Sequence, residues 1–139
     1  MDSAELRNFA EDRDILVIDG NLKNEQKSIS MIDTRSLDCA IVVDLNKINT
    51  CAEETVIMAH ELGHCETGAF YNEKTLELRS RMEYRADKWA IKKLVPENEL
   101  IDAFENGISE IWELAEHFNV TEDFMIKVCE FYGYYHRAI

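Results

Sequence analysis

The sequence predicts an α+β protein, because strand-type segments cluster ahead of residue 45 and helical patterns fill the chain after residue 50. Gly68, Pro96, Gly107 and Gly133 punctuate that second half where helices should stop. A short helix near Ser3–Glu11 comes first. Ile15-Leu16-Val17-Ile18 is a compact apolar run closed by the turn signal Asp19-Gly20. Lys27 to Ile32 alternates polar and apolar residues, the period of a half-buried strand. Ala40-Ile41-Val42-Val43 is a largely β-branched run, and the three segments together predict a small N-terminal three-stranded sheet.

Thr50-Cys51-Ala52-Glu53 has the form of a capping box and starts a helix that should run to about Glu66. A second long helix covers roughly Lys74 to Leu94. Three more follow, at about Glu97–Glu105, Ser109–Phe118 and Thr121–Tyr132. No repeat or linker interrupts the chain, and 139 residues suffice for one core. A single domain is expected over 1–139, with sheet and metal-binding helices in 1–96 and a C-terminal helical part in 97–139.

Composition excludes several classes. No apolar run is long enough to span a bilayer, and the opening MDSAELRNFAEDRD lacks the apolar stretch of a secretory leader. Cys39, Cys51, Cys65 and Cys129 are scattered and read as reduced thiols, mostly small buried hydrophobes, Cys65 beside the metal motif among them. The expected compartment is therefore the cytoplasm. Net charge is −13, of which residues 95–139 carry −8. So acidic a surface repels phosphate backbones and attracts basic proteins, so direct nucleic-acid binding is not expected.

The chemistry-bearing segment is His60-Glu61-Leu62-Gly63-His64. On a helix, positions four apart differ by about 40° in direction and about 6 Å in height, so His60 and His64 share one face and can place two imidazole nitrogens on one Zn²⁺. Glu61 lies about 100° around the helix, placed to take a proton from an attacking water and return it to the leaving nitrogen. An accidental H-E-x-x-H arises in about one shuffled chain of this composition in seventy, so the pentapeptide alone is a weak signal. The capped helix beneath it strengthens it. A third ligand is needed, and the second long helix offers Glu77, Glu83 and Asp87. Glu83 and Asp87 are four apart, so one can bind metal while the other steadies a ligand histidine; equally, both fit a solvated face among Arg79, Arg81, Arg85 and Lys88.

Three blocks, His60-Glu61-Leu62-Gly63-His64, Glu83-Tyr84-Arg85-Ala86-Asp87-Lys88-Trp89-Ala90 and Leu94-Val95-Pro96, resemble the ImmA/IrrE metallopeptidases of bacteria, their prophages and mobile elements. The resemblance is clear over about 40–96 and looser to the end. It implies a zincin-like domain, His60, His64 and Glu83 as zinc ligands, Glu61 as general base and Asp87 as support behind a ligand. It also implies a zinc-dependent endopeptidase cutting a helix-turn-helix transcriptional repressor. Lys93 stands where the family usually has an apolar residue, and the segment between His64 and Glu83 is short, which would alter the cleft.

Two other functions are consistent with the residues. One is a zinc-containing protein that binds its partner without proteolysis, as an anti-repressor or toxin. The other reads Ser109–Phe118 and Thr121–Tyr132 as a DNA-binding helix-turn-helix, but the second helix offers one lysine among acids, so packing or protein contact is favoured. Candidates for stabilising an oxyanion are Tyr71, Tyr84, His117, Tyr132 and His136. His117 reads as a core-edge residue, and Trp89, Trp112, Phe104 and Phe118 as core. Zinc is the default metal, with Mn²⁺ or Fe²⁺ also compatible with two histidines and a glutamate.

Overall fold

The computed structural model describes residues 1–33, 35–70 and 76–134, with only the backbone described at 76–78. Among the described residues, six helices and three strands follow the expected order: α1 Ser3–Asp12, β1 Leu16–Asp19, β2 Ser28–Ile32, β3 Cys39–Val43, α2 Cys51–Thr67, α3 Leu76–Leu94, α4 Glu97–Glu105, α5 Ile111–Phe118 and α6 Glu122–Tyr132. A short 3₁₀ turn, Leu45–Lys47, joins β3 to α2. The class is α+β.

Local chemistry sets the helix ends. Thr50 caps α2 by accepting from the Glu53 amide at 3.1 Å, and Gly68 closes it with φ of 66°, a left-handed conformation that costs glycine least. Thr121 caps α6 in the same way through Phe124. Pro96 ends α3 and sits at the N-cap of α4. The fifth helix begins at Ile111 rather than Ser109, its N-cap position held by Glu110 with no side-chain cap bond.

In the sheet, β3 is central. It pairs in parallel with β1, Val17 opposite Ile41, and antiparallel with β2, Ser30 opposite Ile41. Cys39, Ile41 and Val43 point inward to a core with Leu6 and Ala10 of α1 and Met58, Ala59 and Leu62 of α2. Ala90, Leu94, Leu100, Leu114, Met125 and Val128 extend that core through the remaining helices. Arg7 links the layers, reaching Asp19 at 3.0 Å and Glu54 at 3.4 Å. Lys93, unusual in sequence, finds a use here: its ammonium lies 3.9 Å from the centre of the Phe9 ring.

Three side-chain expectations need correction. Cys39 and Cys65 are joined in a disulfide rather than free, because β3 and the end of α2 bring their Cα atoms to 5.8 Å, within bridging range. Cys129 is buried as a thiol, whereas Cys51 is exposed on the first turn of α2. Trp112 is 54% exposed rather than core, since Leu114, Ala115 and Phe118 occupy the inward face of α5. Trp89 is partly buried against Phe9, Phe104 is partly buried, and Phe118 is core.

Candidate metal centre

The two histidines of α2 meet Glu83 of α3 at one point. His60 Nε2 lies 3.2 Å from His64 Nε2, and the Glu83 carboxylate stands 2.9 Å from the first and 3.3 Å from the second. Zn–N bonds near 2.0–2.1 Å in a tetrahedral set place neighbouring donor atoms about 3.3 Å apart. The triangle therefore matches a small dication.

The far side of each ring decides what the near side offers. His60 Nδ1 is 2.8 Å from Asp87 Oδ1, and His64 Nδ1 is 2.5 Å from the carbonyl oxygen of Ala69. Both partners accept, so each Nδ1 donates and each Nε2 presents a lone pair. With both rings neutral, two lone pairs and a carboxylate converge on one point. A cation resolves that arrangement, and a group of His60, His64 and Glu83 is the one His/Cys/Asp/Glu cluster among the described residues suited to hold a metal.

Charge follows the geometry. Burial pulls the His60 pKa down, but the Asp87 hydrogen bond and the carboxylates of Glu61, Asp87 and Glu83 outweigh it, and the net shift is upward. Burial raises Asp87, while its bond to His60 and its proximity to Lys127 at 3.6 Å bring it below the usual carboxylate range. Asp87 is thus held ionised, the state that accepts from His60.

Glu61 is buried one residue after His60, 6% exposed, and its Oε2 accepts from Ser28 Oγ at 2.6 Å. Ser28 comes from β2, whose Ser28–Ser30 face turns toward α2. A cleft of about 470 Å³ opens over the site, with Ser28, Ile29, Phe70 and Arg79 on its walls beside His60, Glu61, His64 and Glu83. Arg79 precedes Glu83 by four positions, which puts it on the same helix face.

Of the oxyanion candidates, Tyr84 is exposed outside the cleft, Tyr132 donates to the Val95 carbonyl, and His117 is an exposed residue beside Phe118 rather than a core-edge one. None of these three lines the cleft. Tyr71 and His136 lie outside the described residues, as does the side chain of Glu77. The sequence reading missed Ser28 and Arg79. The period-2 alternation of β2 had put the two serines on one face, but nothing local said that the face looks at Glu61.

No helix among the described residues is long and apolar enough to cross a membrane. Comparison with curated proteins and with solved structures gave no match. The family described as IrrE N-terminal-like domain, Peptidase_M78, matches residues 10–129. That span covers most of the chain and both helices that carry the converging donors, and the protein belongs to this family of metallopeptidases.

Proposed function

We propose that the chain is a zinc-dependent endopeptidase of the HExxH type whose substrate is a helix-turn-helix transcriptional repressor. The carrying observation is the convergence of His60 Nε2, His64 Nε2 and Glu83, each imidazole locked from behind. Those three would hold the ion, which supplies a Lewis acid that acidifies water and polarises the scissile carbonyl. Glu61 takes the water proton on the carboxylate and passes it to the leaving amide nitrogen. Ser28 occupies Oε2 and so leaves Oε1 for that transfer. Asp87 fixes the His60 tautomer.

Family membership supports peptidase activity; the repressor rests on the resemblance and on charge. A DNA-binding domain is basic, and this chain carries −13. The exposed residues of α6 include Glu122, Asp123 and Glu130 against Lys127, a poor face for phosphates, which favours a protein partner over DNA for α5 and α6. The setting we propose is the cytoplasm of a phage- or mobile-element-bearing bacterium, where repressors act; the Cys39–Cys65 bond does not support that compartment.

The test pairs metal analysis with a cleavage assay. Wild type should carry one equivalent of zinc, rather than manganese or iron, and His60→Ala should lose it. With zinc present, wild type should cut a repressor encoded beside it, and Glu61→Gln should keep the metal without cutting. Equal biological effect from wild type and Glu61→Gln would instead favour a non-proteolytic anti-repressor or toxin.

A further inference from the structure

The helices cover one face of the sheet, and the other face is apolar and partly exposed. Strand register places Leu16, Ala40 and Met31 in one row and Ile18, Val42 and Ile29 in the next, all on the face opposite Ile41 and Val43. Leu16 is 60% exposed, Met31 47% and Ile18 41%. Not one polar side chain interrupts these two rows. A sheet that meets water on one side normally alternates apolar inward and polar outward, whereas one buried on both sides is apolar throughout. The outer face of this sheet is apolar where a solvated face would be polar.

The rim identifies the partner. At the Leu16 end a groove of about 560 Å³ has Leu16, Met31 and Ala40 among its walls together with Asp14, Asp33 and Asp38. Among the described residues no lysine or arginine lines it, and no salt bridge engages those three carboxylates. An apolar floor under an acidic rim is complementary to apolar side chains flanked by lysine or arginine. A second copy at −13 would meet like charge, and so would an anionic lipid surface. Ile29 belongs to this face and also lines the cleft over the converging donors.

We infer that the outer face of the sheet, Leu16–Ala40–Met31 and Ile18–Val42–Ile29 with the Asp14–Asp33–Asp38 rim, docks a cationic, amphipathic segment of a protein partner. The inference does not depend on peptidase chemistry, since no residue in it is among the converging donors. Single apolar residues on a surface are ordinary; six in register across three strands are a patch of the kind that marks a binding site.

The probe is a short labelled peptide of alternating lysine and leucine, with a lysine–serine peptide of equal charge as its control, each titrated into the full chain. The lysine–leucine peptide should bind, and the control should bind about tenfold more weakly. Leu16→Ser/Met31→Ser should weaken binding about tenfold. Asp14→Asn/Asp33→Asn/Asp38→Asn should weaken it and flatten its salt dependence. Metal content and thermal midpoint should match wild type in both variants; if the apolar variant unfolds, the aspartate variant and the peptide pair decide alone. Equal binding by the two peptides, or by wild type and the aspartate variant, overturns the inference. A wild-type dimer that Leu16→Ser/Met31→Ser splits overturns it too, because the face would then be covered by a second copy.

Discussion

Gly63 of α2 faces the backbone of Ala86 on α3 so closely that a Cβ built on it would lie 2.5 Å from the Ala86 carbonyl oxygen. Gly63 is thus the contact that lets the two helices carrying the converging donors approach. Gly63→Ala should force them apart, at a cost of about 1–3 kcal/mol or more. Because His60 and His64 are on one helix and Glu83 on the other, metal content should fall with stability. Thermal unfolding and metal analysis of the variant check this; a variant that binds metal normally would show that the contact is not limiting.

The Asp87 bond to His60 makes a graded prediction. Asp87→Ala should lower zinc affinity about 10–100-fold by freeing the ring and its tautomer. Lys127→Ala should do much less, because its partner lies at 3.6 Å and the lysine is 58% exposed, so water screens the pair. Competition with a chromophoric chelator measures both.

The metal should also be lost toward acid. A raised His60 pKa means that the metal-free protein stays protonated there to higher pH than an ordinary histidine. Metal binding must expel that proton, so affinity should fall as pH drops through the raised value. In the metal-free protein the same group stabilises fully below the unfolded value of about 6.5 and loses that contribution as pH rises through the folded one. The gap in melting temperature between zinc-loaded and metal-free protein should therefore narrow as pH falls, as calorimetry at a series of pH values would record.

Ser28 should act on turnover through Glu61. Its hydroxyl donates to the buried Glu61 side chain, and Ser28→Ala should slow peptidase turnover about tenfold with little change in KM. Ser28→Thr keeps the hydroxyl and should recover much of the rate. Zinc content should be the same in all three proteins.

Reduction of Cys39–Cys65 should destabilise the fold. The bond closes a loop across 26 positions, worth about 3–4 kcal/mol by chain entropy. It also fastens the last turn of the helix that carries His64 to the sheet. A lower melting temperature in excess dithiol, matched by Cys39→Ser, would agree with this; identical melting curves would mean that the bond adds nothing.

By itself the sequence determined what depends on near neighbours. The Thr50 cap, the Gly68 stop and the four-residue spacing of His60 and His64 are local, so the helix and the convergence of its histidines were readable from the chain. Glu83 and Asp87 were readable only as a pair sharing a face; the packing of α3 on α2 at Gly63 settled that Glu83 meets both Nε2 atoms and Asp87 lies behind His60. Tertiary structure alone decided the rest. Strand order put Ser28 on Glu61 and left Leu16 and Met31 outside, and the approach of β3 to α2 joined two cysteines 26 positions apart. The physical reason is the same in each case: periodicity says which residues share a face, but only packing between distant segments says what that face meets.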